Sequence, residues 1–423
     1  MSRSGDTEAR IRGWLAAGDE HAPDDLVEAV LAEFPSIRQR RRWEVPLRAR
    51  WVFRSLRWTV GMALLVMILV LLLATALLVA ARPPSWVRLS GTDVFGNGSV
   101  TDVVLVPDGL LAVGTTSQGG HDMAAAWGST DGLRWRQTSS GTALADTSMG
   151  RIARQGTTVV AVGFDCPPGA SSYCGGARIL RTVDEHSWQA AATDFRSCCG
   201  SEGVSYVAVT AGGPGFVAVG TRETEYGTLV GASIATSVDG STWKILHSTS
   251  PAFVGASMAG VAAGSSGLVT VGAAQDGTPE VWRSADGRTW SRIESSSALA
   301  SGTLTDVASD GRTFVAVGSY NDHPAAWTSS DGVTWQLHLD VESPAGTAMT
   351  RVVWAGREFI ALGRSASGSG VAWSSTGDGF WTLLATGQIF SNAELQAVAQ
   401  VGSRLVLFGR NAFGQVIIAT NAP

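Results

Sequence analysis

Cysteine is scarce in this 423-residue chain: there are four, and none precedes Cys166. That excludes a cysteine-based zinc module near the N-terminus. Tyrosine is equally rare, with four copies. Charged residues make up 16% and the net charge is -5, so the chain lacks the basic field that a nucleic-acid binder needs. There is no two-histidine metal motif, glycine-rich phosphate loop or nucleophile elbow, and neither a metal nor a cofactor is expected. Glycine (51) and tryptophan (16) are plentiful instead, the composition of a turn-dense β protein packed on aromatic rings.

One stretch is wholly apolar. Thr59 to Ala81 runs 23 residues without a charge, long enough to cross a bilayer as a helix, and residues 58–81 are expected to do so. It begins too far into the chain for a cleaved signal peptide. Arg38, Arg40, Arg41, Arg42, Arg48, Arg50, Arg54 and Arg57 precede it against one acid, Glu44, whereas only Arg82 and Arg88 follow before Asp93. Positive-inside bias then leaves residues 1–57 in the cytoplasm and everything after residue 82 outside. Trp51, Trp58 and Trp86 sit where an aromatic belt would lie. The expected localisation is therefore a single-pass protein of the cell membrane with the bilayer itself as one partner. In the tail, Ile11, Trp14 and Leu15 share one helical face, and Leu26, Val30, Leu31 and Phe34 form the stripe of a second short helix starting near Pro23. This segment reads as a lipid-touching topogenic tail, or as a docking segment for a cytosolic partner.

The rest is repetitive. Seven times the chain writes a small-hydrophobic-Gly step ending at Gly114, Gly163, Gly220, Gly272, Gly318, Gly363 and Gly409, a period of 45 to 57 residues. Each step follows a short apolar strand such as Val103-Val104 or Val307-Ala308, and a third strand often ends in tryptophan (Trp127, Trp282, Trp327, Trp373). Such a period of short strands and glycine turns predicts an all-β, seven-bladed β-propeller of four-stranded antiparallel blades over residues 85–423. The seventh repeat lacks a fourth strand. Trp86-Val87-Arg88-Leu89 matches the missing piece, so an N-terminal strand should close the last blade and place the propeller close to the membrane.

Between third and fourth strands comes a recurrent turn, Ser129-Thr-Asp131-Gly132-Leu-Arg-Trp135. It recurs as Asp239 with Trp243, Asp286 with Trp290, and Asp331 with Trp335; Asp184 with Trp188 is a degenerate copy. These turns resemble the Asp-box, or BNR repeat, of sialidase-like propellers, one residue tighter before the glycine. The resemblance covers residues 100–420. It implies a structural role: the aspartate accepts turn N–H bonds, the glycine takes a φ that other residues resist, and the tryptophan packs between sheets. Blade six departs, with Gly377 at the aspartate position and Asp378 slipped by one, so its turn should differ.

Candidate binding residues follow from the repeat. The position before each inner strand's apolar pair varies: Asp102, Arg151, Tyr206, Gly260, Asp306, Arg351 and Ala397. Such variation at a channel mouth can build a polar pocket, or neighbouring-blade ion pairs Asp102–Arg151 and Asp306–Arg351. Arg364 and Arg410 follow Gly steps on adjacent blades and could clamp a carboxylate or sulfate. The sialidase resemblance is poor at the site: no arginine motif stands in blade one, and only Tyr206 is at an inner-strand position, with Glu223, Glu225 and Tyr226 in its loop. Cys166, Cys174, Cys198 and Cys199 fall in two loops of one face and are disulfide candidates with three possible pairings. The expected function is non-catalytic binding or scaffolding of a protein or glycan ligand. A divergent sialidase-like hydrolase and a receptor signalling through its tail are the alternatives.

Overall fold

The computed structural model describes residues 66–67, 86–89, 92–118, 121–165, 176–193, 202–224, 227–246, 251–294, 297–343, 346–385 and 388–421. The expected tail (1–57), nearly all of the expected membrane span (58–81) and the four cysteines lie outside them. Val66 and Met67 are helical; no helix among the described residues is long and apolar enough to cross a membrane. Contacts divide the chain into units at 1–82 and 83–423.

The second unit is a seven-bladed β-propeller. Blade one is Ser99–Val106, Gly109–Gln118, His121–Ser129 and Arg136–Gln137, each strand antiparallel to the next. Blades two to six repeat this order from Thr147, Glu202, Ala256, Thr303 and Ala348. Blade seven takes three strands from Ala393–Val401, Arg404–Asn411 and Val416–Asn421, and its outer strand is Trp86–Arg88, with Trp86 opposite Asn421 and Arg88 opposite Ala419. The expected ring closure is thus present. A short strand, Ala192–Thr193, adds in parallel to the outer edge of blade three, and Ser140 and Val341 bridge in parallel to Ser187 and Trp381. These connectors cover outer edges that would otherwise expose unpaired backbone.

The core is a ring of seven apolar clusters, one between each pair of adjacent blades. Both faces of every blade are covered, which is why the strands read as unbroken apolar runs rather than alternating ones. Third-strand tryptophans are fully buried, and each indole N–H donates to the connector leading into its own blade: Trp127 to Val94 O (3.2 Å), Trp282 to Ala252 O (2.8 Å), Trp327 to Ala298 O (2.7 Å) and Trp373 to Glu342 O (2.7 Å). Apolar burial and a satisfied polar handle thus meet in one residue.

The recurrent turns cap themselves as the pattern predicts. Asp331 accepts N–H bonds from Val333 and Thr334 at 2.8 Å each, while Ser329 Oγ takes the Gly332 N–H at 2.9 Å. Those bonds hold the Asp331 carboxyl down at about 2, the Thr334 N–H contributing most. Asp131, Asp184, Asp239 and Asp286 are lowered for the same reason. Gly332 has φ 72°, and a Cβ there would stand 2.6 Å from Val269 Cγ2 of the preceding blade. Blade two places Glu185 at this position with φ 65°. Blade six differs as expected: Gly377 donates to Ser375 Oγ (3.1 Å), and Asp378 accepts one turn N–H, from Phe380 (3.1 Å).

Candidate functional site

Each inner strand carries a β-bulge, and the bulge sets which side chain enters the channel. The register shifts after Val100, Met149, Met258, Leu304, Met349 and Leu395, so Asp102, Arg151, Gly260, Asp306, Arg351 and Ala397 are equivalent. Blade three corrects the sequence alignment. Tyr206 pairs with Gly220, as Val100 pairs with Gly114, and the shift follows it; Ala208 therefore holds the channel position. Tyr206 is 1% exposed within an inter-blade cluster, its hydroxyl 3.3 Å from Ser233 Oγ. The tyrosine expected at the channel is a core residue.

The remaining charged residues converge, in an arrangement other than the neighbour pairs expected. Arg151 of blade two reaches across to Asp306 of blade five (Nη1 to Oδ2, 3.2 Å), and Arg351 of blade six bonds Asp102 of blade one through Nη2. Neighbouring blades are joined through backbone instead. Asp102 Oδ2 accepts the N–H of Ile152 (3.0 Å), the residue after Arg151, and Asp306 Oδ2 accepts that of Val352 (3.2 Å), the residue after Arg351. Each aspartate also caps its own strand, taking the N–H of Val103 (2.7 Å) or Val307 (3.0 Å) with Oδ1. Arg351 Nη1 donates to Thr101 O (2.7 Å) and to Gln396 O. Inner strands expose one unpaired edge to the channel, and this tetrad supplies partners for that edge on blades one, two, five, six and seven.

Electrostatics follows from the geometry. The Arg351 side chain is 7% exposed; burial and the nearby Arg151 guanidinium lower its pKa, against Asp102 and Asp306. Arg151 is 24% exposed, and Asp306 and Asp102 more than offset the burial that opposes its charge, raising its pKa. Two cations and two anions cancel in one network.

The tetrad stands at mid-strand rather than at the expected mouth. Asp102 is the fourth residue of Ser99–Val106. From it a cavity of about 370 Å³ runs along the inner strands to Arg154, Ala211, Ala263, Ser309 and Trp354. Those residues lie near the first-hairpin ends of their strands. That is the face carrying the recurrent turns. Ala208 and Gly260 leave room for it. A Cβ on Gly260 would stand 2.5 Å from Asp306 Oδ1, so glycine there is what admits the Asp306 carboxylate.

Arg364 and Arg410 do not join this site. Arg410 Nε donates to Gly414 O (3.1 Å), and the Arg364 guanidinium lies over Gly368 in the same way, each folded onto its own hairpin on the opposite face. Sequence reasoning missed Trp354, Arg154 and the role of Gly260. Trp354 had a visible signal: it is the aromatic three residues after Arg351, where other blades carry Leu105, Arg154, Ala211, Ala263, Ser309 and Gln400. Among the described residues, no group of three His, Cys, Asp or Glu side chains could hold a metal ion.

No family model and no curated protein matches the chain. Among solved structures, the fold is similar to that of a chain described as YCF48 bound to D1 peptide, with a TM-score of 0.51 and 15% identity over 81% of this chain and 96% of that one. At that identity the likeness is one of fold: both are β-propellers.

Proposed function

We propose that this protein is a membrane-anchored, extracytoplasmic β-propeller that acts by binding a polypeptide partner on the face of the recurrent turns. One observation carries the reading: that face presents apolar side chains at the turns of blades one, two, three, five and six, with Leu133, Val183, Val238, Val333 and Phe380 all exposed, Val238 at 72% and Phe380 at 64%. Exposed apolar groups grouped on one face mark interaction sites. The channel charges favour binding over bond-breaking, since they are matched to each other and to backbone, and Tyr206 is enclosed in the core. The structural neighbour's bound peptide supports a polypeptide ligand by analogy of fold alone. The anchor and orientation rest on the apolar run 58–81 and the arginines before it.

A photo-crosslinking residue at Phe380 should give polypeptide adducts in membranes, and one at Phe413, 89% exposed on the opposite face, should not. Equal labelling from both positions overturns the assignment of the face. The hydrolase alternative predicts turnover of a fluorogenic sialoside that Tyr206→Phe abolishes; the binding reading predicts no turnover by the full chain.

A further inference from the structure

We infer that the channel cavity is a separate site for an uncharged, hydroxyl-rich small molecule of the sugar class. The first argument is charge. Asp102, Asp306, Arg151 and Arg351 cancel, so an anion at the cavity floor meets two carboxylates and a cation meets two guanidinium groups. Arg154, the further charge on the lining, stands at the other end with Nη1 3.5 Å from Leu105 O.

The second argument is hydrogen-bond capacity. Arg151, 24% exposed, makes one protein bond, through Nη1, with a guanidinium that carries five N–H donors. On the acceptor side, Asp102 Oδ2 takes one bond, from Ile152 N–H, and Asp306 Oδ1 takes one, from Val307 N–H. Each oxygen has a second lone-pair site. The floor therefore offers both donors and acceptors. An oxyanion donates nothing and an ammonium accepts nothing; a hydroxyl does both.

The third argument is the wall. Val103, Ile152, Val261, Val307 and Val352 line the cavity between floor and rim, and the half-buried Trp354 lies at the rim, its ring 4.8 Å from Phe359. An aromatic side chain at the rim of a polar-floored cavity suits a ring with apolar faces and a polar edge. The volume of about 370 Å³ is that of a small-ligand pocket, and it excludes a folded partner.

The test is saturation-transfer NMR on the full chain in a sugar-free detergent, with glucose, galactose, N-acetylglucosamine and lactose as neutral probes and acetate and lysine amide as charged ones. At least one neutral sugar should receive saturation, and Trp354→Ala should reduce that signal at least fivefold in a protein with unchanged circular dichroism. Saturation of the charged probes alone, or a sugar signal indifferent to Trp354→Ala, overturns the proposal. A panel of immobilised glycans distinguishes a free sugar from the end residue of a larger glycan. Absence of signal from every neutral sugar in the folded protein also overturns it and leaves the polypeptide reading intact, because crosslinking at Phe380 is scored independently.

Discussion

Blades one and two carry an aspartate–arginine couple at the channel position, and blades five and six carry it again, yet the two arginines end in different surroundings. Arg351 is 7% exposed, bonded to Asp102, Thr101 O and Gln396 O; Arg151 is 24% exposed with a single bond to Asp306. The difference comes from what lies between the blades each arginine spans. Blade seven alone separates six from one, and its Gln396 carbonyl fills the gap. Blades three and four separate two from five, and their channel residues are Ala208 and Gly260, which offer no polar side chain. The same Asp–Arg pairing thus makes a closed clasp on one side and an open pocket on the other. Small residues on two blades are as much a part of the site as the charges.

That comparison is broken most severely at Arg351. Arg351→Met leaves Asp102 and two carbonyls without their cation and should cost about 3–5 kcal/mol, the penalty of an uncompensated buried charge. Arg151→Met should cost less, about 1–3 kcal/mol, because Arg151 is the more exposed arginine and gives up one bond where Arg351 gives up three. Denaturant unfolding of both variants checks the order, and a larger loss at Arg151 would reverse the assignment of closed and open sides. Gly260→Ala pushes into Asp306 Oδ1 and should destabilise by about 1–3 kcal/mol; a neutral result would mean that Asp306 does not pass over blade four.

The recurrent turns provide smaller effects. Asp331→Ala removes two turn N–H acceptor bonds and should cost about 1–2 kcal/mol, more than Asp378→Ala, which removes one. The Asp331 pKa is lowered to about 2, so its contribution is complete above the unfolded value of about 4 and is lost as pH falls through about 2. Stability measured against pH should therefore fall less steeply between about pH 4 and pH 2 in Asp331→Ala than in the parent. Smallest of all, Glu185→Gly releases a left-handed φ and should stabilise blade two by about 0.5–1 kcal/mol in thermal melts.

The fold was legible because its determinants are local and repeated. The Gly step is forced by contact: a Cβ on Gly114, Gly163 or Gly318 would lie 1.8 Å from the carbonyl oxygen of the facing inner strand. Ring closure was legible too, since Trp86-Val87-Arg88 supplies the one strand that the seventh repeat lacks. The site was less so, for two physical reasons. Tyr206-Val207-Ala208-Val209 is apolar throughout, so sequence could not tell which residue the bulge displaces, and the error carried Tyr206 from core to channel. Asp102, Arg151, Asp306 and Arg351 line the channel at mid-strand with partners other than those expected, because neighbour logic pairs adjacent blades, whereas a guanidinium on a long stem spans the narrow channel.

The central claim is the crossed pairing, and a double-mutant cycle addresses it directly. Asp102→Asn and Arg351→Met, alone and together, should show a coupling of about 2–3 kcal/mol in unfolding free energy, and Asp102→Asn with Arg151→Met a much smaller one. Strong coupling between Asp102 and Arg151, with none between Asp102 and Arg351, would restore the neighbour pairs and contradict this account.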